Sequence, residues 1–217
     1  MTSKSNCFTG YVASNQSIEI TVPTMSDPVV VMSVFDWIII HQHLGKDFDW
    51  NRTWDEYKAG FGSIDENFWF GLEKMHLLTK CKRYRLRVEM QDRESNLWYS
   101  AEYWSFKIGD ELNDKYRLNV SGYSGDAGDA LQHEGDSDGN RAYGYYLHNG
   151  MMFTTYDRDN DMQVNFPYNC ALPRAGGWWF NRCEWCCLTC WWKKHTWEFL
   201  PSAKTRIAVS RMMIKPQ

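Results

Sequence analysis

Asp157, Asp159 and Asp161 alternate along the chain, and a few residues later Cys170 and Cys183 bracket a loop containing Gly176-Gly177-Trp178-Trp179. Carboxylates at alternate positions of an extended loop can converge, together with backbone carbonyls, on a hard cation such as calcium. Set just ahead of a short cysteine-bounded loop, they form the chemistry of a calcium-braced binding loop. An EF-hand is excluded, because its sixth position requires Gly and its twelfth Glu, where this chain has Met162 and Tyr168. Taken alone, the same carboxylates also suit a solvated acidic turn.

The second candidate lies in the tail. Cys183, Cys186, Cys187 and Cys190 form two Cys-x-x-Cys pairs interleaved with Trp185, Trp191 and Trp192. That spacing suits zinc or thiol chemistry, and suits equally a run of unpaired cysteines. A zinc- or thiol-dependent enzyme would have to be built here. His41, His43, His76, His133, His148 and His195 are scattered, with no Ser or Cys in a nucleophile motif beside them, so each reads as a surface or packing histidine. Gly125 to Gly128 lacks the Lys-Ser/Thr pair and the strand-to-helix frame of a phosphate loop.

The elements that must position these residues are bounded by composition. A chain of 217 residues can bury a sizeable core as one domain. A net charge of -3 without a basic run argues against nucleic acid as a partner. The apolar run from Val29 to Ile40 is interrupted by Ser33 and Asp36 and is too short to span a bilayer. Met1 to Gly10 has no apolar core of a secretory leader. The seven cysteines nonetheless point to an oxidising compartment, which fits a domain of a longer secreted protein or a form lacking its leader. Asn15, Asn51 and Asn119 head triplets of the N-glycosylation pattern, a pattern common by chance.

Strands are expected over 17–22, 29–40, 84–90, 98–108 and 116–120, the third from the alternation of Tyr84, Leu86 and Val88 with Arg85, Arg87 and Glu89. Thr53 is a candidate N-cap for a helix over 54–59 closed by Gly60 and Gly62, and the spacing of Phe68, Leu72, Met75 and Leu78 predicts a second helix over 64–78. From Gly122 to Gly150 the chain is rich in Gly, Asp, Ser and Asn and reads as loop. Early helices, a middle antiparallel sheet and a loop-dominated end make an α+β domain.

Several segments then fall into a familiar order. Trp37 to Gln42, Phe48 to Gly62, Phe68 to His76, Tyr84 to Val88, Ala101 to Tyr103, Tyr116 to Leu118, Gly122 to Asp129, His148 to Met151, Asp157 to Asp161, Cys170, Gly176 to Cys183 and Met212 to Pro216 together resemble the C-terminal globular domain of fibrinogen, shared by ficolins, tachylectins, tenascins and angiopoietins. Only Glu184 to Ser210 departs from the pattern.

The resemblance implies a single domain over 1–217: a small N-terminal subdomain over about 1–45, a central twisted antiparallel sheet with helices over 46–120, a loop-rich calcium and ligand subdomain over 121–211, and a strand over 212–217 returning to the sheet. It implies calcium as cofactor, held by Asp159 and Asp161 with Gln163 and Asn165 offering carbonyls, and a Cys170–Cys183 disulfide that would stabilise by about 3 kcal/mol. In that family the peptide before the second cysteine, here Arg182-Cys183, is cis and turns amides toward the ligand. Arg182, Cys183, Glu184, Trp178, Trp179, Tyr168 and Trp197 are the implied ligand-binding residues, with Glu184 where many relatives have His, a change expected to disfavour acidic sugars. Cys7 matches the family's first cysteine, but its usual partner position falls near Ser33. Cys7 and Cys81 are left free, paired with each other, or linked to another chain in a homo-oligomer. The implied function is a secreted, non-enzymatic, calcium-dependent lectin-like domain of innate-immune type that binds acetylated glycans. The alternative is a protein-docking module of tenascin or angiopoietin type.

Overall fold

The computed structural model describes residues 16–45, 47–133, 146–163, 168–201 and 206–217. Cys7, Asn15, Asn165 and part of the stretch expected to be loop between Gly122 and Gly150 lie outside them. The chain begins with β1 (Gln16–Ile20), β2 (Val29–Val34) and β3 (Trp37–His43), then α1 (Trp54–Ala59), β4 (Phe61–Gly62), β5 (Phe68–Trp69) and α2 (Leu72–Cys81). It continues through β6 (Tyr84–Asp92), β7 (Trp98–Ile108), α3 (Glu111–Asp114) and β8 (Leu118–Gly125). The last part holds α4 (Ala171–Arg174), β9 (Cys186–Cys187), β10 (Thr196–Trp197) and β11 (Ile207–Pro216).

The alternation over 84–90 is realised in β6, where Tyr84, Leu86, Val88 and Met90 are buried and the intervening Arg and Glu side chains are half-exposed. The sheet runs β1-β2-β3-β11-β6-β7-β8, with β4 and β5 attached beside β3. All of its pairings are antiparallel. The last strand therefore enters the middle of the sheet, with Met212 opposite both His41 and Val88. It starts at Ile207, earlier than the strand expected at 212. β1 to β3 share this sheet with the strands of the central stretch.

Two sequence expectations are corrected here. Residues 29–40 form two strands, because Phe35, at φ +46, turns the chain between them. The helix expected over 64–78 begins only at Leu72, and Phe68 and Trp69 pair as a strand with β3 and β4. Gly71 makes the break: at φ +107 it reverses the backbone, and a Cβ there would meet the Ala59 carbonyl at 2.7 Å. α1 follows expectation, with Thr53 and Glu56 closing a capping box.

Aromatic rings link the sheet to the C-terminal loops. Trp69 packs against Tyr57 at 5.6 Å and Trp179 at 6.2 Å between centroids, and Phe153 lies edge-on to Trp179. The Tyr57 hydroxyl donates to the Trp50 carbonyl at 2.7 Å and accepts from the Gly177 amide at 2.9 Å. Gly177 must be glycine for this approach, since a Cβ would stand 2.8 Å from both the Tyr57 and Phe153 rings. Among the described residues no helix is long and apolar enough to cross a membrane.

Candidate functional site

The loops after β8 are clamped to the strand that precedes them. Asn149 accepts the Val120 amide through its side chain at 2.9 Å, and the Leu118 amide donates to the Met151 carbonyl. Phe153 then enters the core, and Thr154 bridges Trp178 through paired backbone hydrogen bonds of 2.9 and 3.1 Å. A tight turn from Thr155 to Arg158 follows, and it delivers the carboxylate series.

The three carboxylates do different work. Asp157 accepts the Trp54 amide at 3.0 Å and the Thr155 hydroxyl at 2.8 Å, so it joins the loop to the start of α1. Asp159 accepts the Asp161 amide at 3.2 Å. Asp161 accepts the Gln163 amide at 2.7 Å on one oxygen and the Cys170 amide at 2.8 Å on the other. Burial pushes the Asp161 carboxyl up to about 6, and the neighbouring Asp159 adds to the rise. Their hard carboxylate oxygens are of the kind calcium takes. Asp157 does not stand free to complete the set, and Gln163 enters these contacts through its backbone amide. Among the described residues no group of three or more His, Cys, Asp or Glu side chains is arranged to hold a metal.

Cys170 and Cys183 are disulfide-bonded, with Cα atoms 5.4 Å apart. The ligand-facing set implied by the resemblance does not come together on one open wall. Trp178, Trp179 and Trp197 are fully buried; Trp179 donates its indole N–H to the Tyr116 carbonyl and Trp197 to the Ala127 and Gly128 carbonyls. They are core rings, and in sequence a core tryptophan and a pocket tryptophan look alike. Glu184 is turned inward as well: it pairs with Arg174, and burial pushes its carboxyl up while Arg174 partly offsets the shift. Arg182 is half-buried, and Tyr168 is 43% exposed. On the neighbouring turns, Tyr156 (37%), Met162 (50%) and Leu172 (56%) are exposed as well. Asn169 holds these turns together, donating to the Thr155 carbonyl and accepting the Ala171 amide.

The tail cysteines do not form a metal cluster. Cys183 is taken by Cys170, Cys187 bonds Cys190, and Cys186 is a buried thiol whose pKa burial raises well above its ordinary value. No set of thiolates remains there for zinc, which corrects the reading built on the two Cys-x-x-Cys pairs. Cys81 is also disulfide-bonded.

Histidines carry more of the site than their scatter suggested. His148 Nδ1–H donates to the Trp179 carbonyl at 2.8 Å, while Nε2 accepts the Trp185 and Cys186 amides at 3.1 and 3.2 Å. Burial holds its pKa down at about 4, so the ring is neutral. His41 and His195 both reach the Ser210 hydroxyl, at 3.4 and 2.8 Å, and His43 stacks on His195 at 4.0 Å. The only signal for these roles was the placing of His41 and His43 on one face of a strand and of His148 beside Asn149-Gly150.

The comparisons agree with this architecture. The family model "Fibrinogen beta and gamma chains, C-terminal globular domain" matches residues 31–217. Human fibrinogen alpha chain is 42% identical over 156 residues, covering 70% of this chain and 17% of that protein. Bovine fibrinogen-like protein 1 is 40% identical over 154 residues, 68% of this chain and 46% of that protein. The chain thus spans less than half the length of these relatives. Among solved structures, the fibrinogen-like globe domain of human ANGPTL6 superposes with a TM-score of 0.77 at 29% identity over 94% of this chain and 90% of that one. Lamprey fibrin D-dimer, complexed with the peptide ligand Gly-His-Arg-Pro-amide, gives 0.76 at 30% identity over 88% of this chain and 66% of that one. By sequence and by fold, this chain belongs to the fibrinogen C-terminal globular domain family.

Proposed function

We propose that this domain is a non-catalytic extracellular recognition module that docks a protein or peptide ligand through the face carrying Tyr156, Met162, Tyr168 and Leu172, with calcium bracing the loop at Asp159 and Asp161. The observation that carries this reading is the exposure of those four large side chains on turns that Asp161 and Asn169 tie together. Tyrosine and methionine are enriched at protein interfaces, and an apolar patch with a polar rim marks such a surface. Calcium would neutralise Asp159 and Asp161, with backbone carbonyl oxygens completing its shell. Disulfides at Cys170–Cys183 and Cys187–Cys190 suit secretion. The acetylated-glycan reading is less well supported, since three of its aromatic walls are core residues.

The test presents the immobilised domain, in calcium and in chelator, with purified extracellular ectodomains and with resin-bound N-acetylglucosamine. Expected is calcium-dependent ectodomain binding that free N-acetylglucosamine leaves intact and that Met162→Ser with Tyr168→Ser abolishes. Retention only on the acetylated resin, reversed by free sugar, would put the lectin function in its place.

A further inference from the structure

Away from that face, the chain between β3 and α1 encloses a cleft of about 370 Å³, within the range of small-molecule sites, roughly 300–1,000 Å³. Phe48, Trp50 and Trp191 give it aromatic walls, and Asp47 and Asp49 give it carboxylates. His43 also lines it. Trp191 is 43% exposed and is tied by its amide to the Arg174 carbonyl. Phe48 and Trp50 stand edge-on to one another, 4.9 Å between centroids.

Among the described residues that line this cleft, the charged side chains are both carboxylates. Asp47 and Asp49 are both exposed, and neither forms an ion pair with another described residue. Asp49 accepts only the Asn51 amide, at 2.9 Å. The nearby Arg52 is spent on the Asp49 backbone carbonyl and on Glu56. His43 brings no positive charge, because burial holds its pKa down at about 4. The Trp50 indole N–H, on a buried ring, has no hydrogen-bond partner among the described residues.

We infer that this cleft binds an organic ammonium group, its charge set between Asp47 and Asp49 and its methyl or methylene groups against Trp191, Phe48 and Trp50. Cations are attracted to aromatic faces, most strongly to tryptophan, and the Lys193 ammonium already lies 4.9 Å from the Trp191 ring centroid. Two carboxylates without a counter-cation select a positive ligand over a neutral one of the same shape. The ammonium can come from a free small molecule or from a lysine side chain on a partner chain.

The experiment titrates the whole chain by calorimetry and tryptophan fluorescence with choline, with its neutral isostere 3,3-dimethyl-1-butanol, and with a short lysine peptide amide acetylated at its N-terminus. Expected is saturable binding of choline or of the lysine peptide, at least about tenfold tighter than the neutral isostere. Binding of choline alone marks a small-molecule site, and binding of the peptide alone marks a site for a lysine-bearing partner. Asp47→Asn with Asp49→Asn should weaken binding about tenfold at unchanged melting temperature, as both side chains are on the surface and Asn can still accept the Asn51 amide. Trp191→Ala should weaken it in the same direction. Equal affinity for choline and its isostere, undiminished affinity in the Asp47/Asp49 double variant, or no saturable binding by any cation overturns the inference. None of these outcomes bears on the Met162 and Tyr168 face.

Discussion

His148 Nε2 accepts the Trp185 amide across 37 positions of sequence, at 3.1 Å. Through this bond, and those to Cys186 and Trp179, one neutral imidazole fastens the diverged tail to the turn that precedes the carboxylate loop. Replacing His148 by Phe leaves three buried backbone groups without partners, at a cost of about 3 kcal/mol or more. Urea denaturation of H148F against the parent checks this, and an unchanged midpoint would show that the tail is held elsewhere.

The fold should be acid-labile from its histidines. His43 and His148 titrate near 4 in the fold instead of 6.5, and burial lowers His41 and His195 well below 6.5. Their folded pKa values are depressed, so the unfolded chain takes up protons first. The stability they contribute is present above pH 6.5 and is lost as pH falls through about 4. For His148 alone this is on the order of 3 kcal/mol. Melting temperature against pH should fall steeply over that window.

Calcium should act in the opposite sense on Asp161. Without metal its folded pKa of about 6 lies above the ordinary 3.8, so its contribution is present below 3.8 and lost as pH rises through 6. A cation at Asp159 and Asp161 would remove that penalty, raising melting temperature at pH 7 and having little effect at pH 5. At a concentration one hundred times its Kd, calcium would add about 2.7 kcal/mol. Asp159→Asn should abolish the increment and leave the chelated protein unchanged. Asp161→Ala should destabilise even in chelator, because the Gln163 and Cys170 amides lose their acceptor. Equal melting of the parent with and without calcium would remove the metal site.

The disulfides differ in loop length. Cys170–Cys183 spans 13 residues and Cys187–Cys190 spans three, so paired Cys→Ala replacements should cost about 3 and about 1.5 kcal/mol by chain entropy. Cys186 should resist thiol reagents until the protein unfolds. Its labelling in native protein would contradict this burial.

Features set by local chemistry were legible in the sequence: the period-two burial of β6 and the Thr53–Glu56 capping box depend on near neighbours. The helix expected over 64–78 failed because Phe68, Leu72, Met75 and Leu78 keep helical spacing even though Gly71 splits them between a strand and a helix. The carboxylate loop was visible, but its division of labour was not: only the fold brings Trp54 to Asp157 and Cys170 to Asp161. Likewise Glu184 is neutralised by Arg174, ten positions upstream, and the fold pairs Cys187 with Cys190 and Cys170 with Cys183 while leaving Cys186 a free thiol.

The position of β11 between β3 and β6 fixes an order of events during synthesis. Until Ile207 to Pro216 have left the ribosome, β3 and β6 are two open edges with no third strand to join them. Until those ten residues arrive, both edges are open to pairing with a neighbouring chain. A stop codon anywhere before Ile207 would divide the sheet into β1-β2-β3 and β6-β7-β8, leaving β3 and β6, however correct their own sequences, without the strand that joins them.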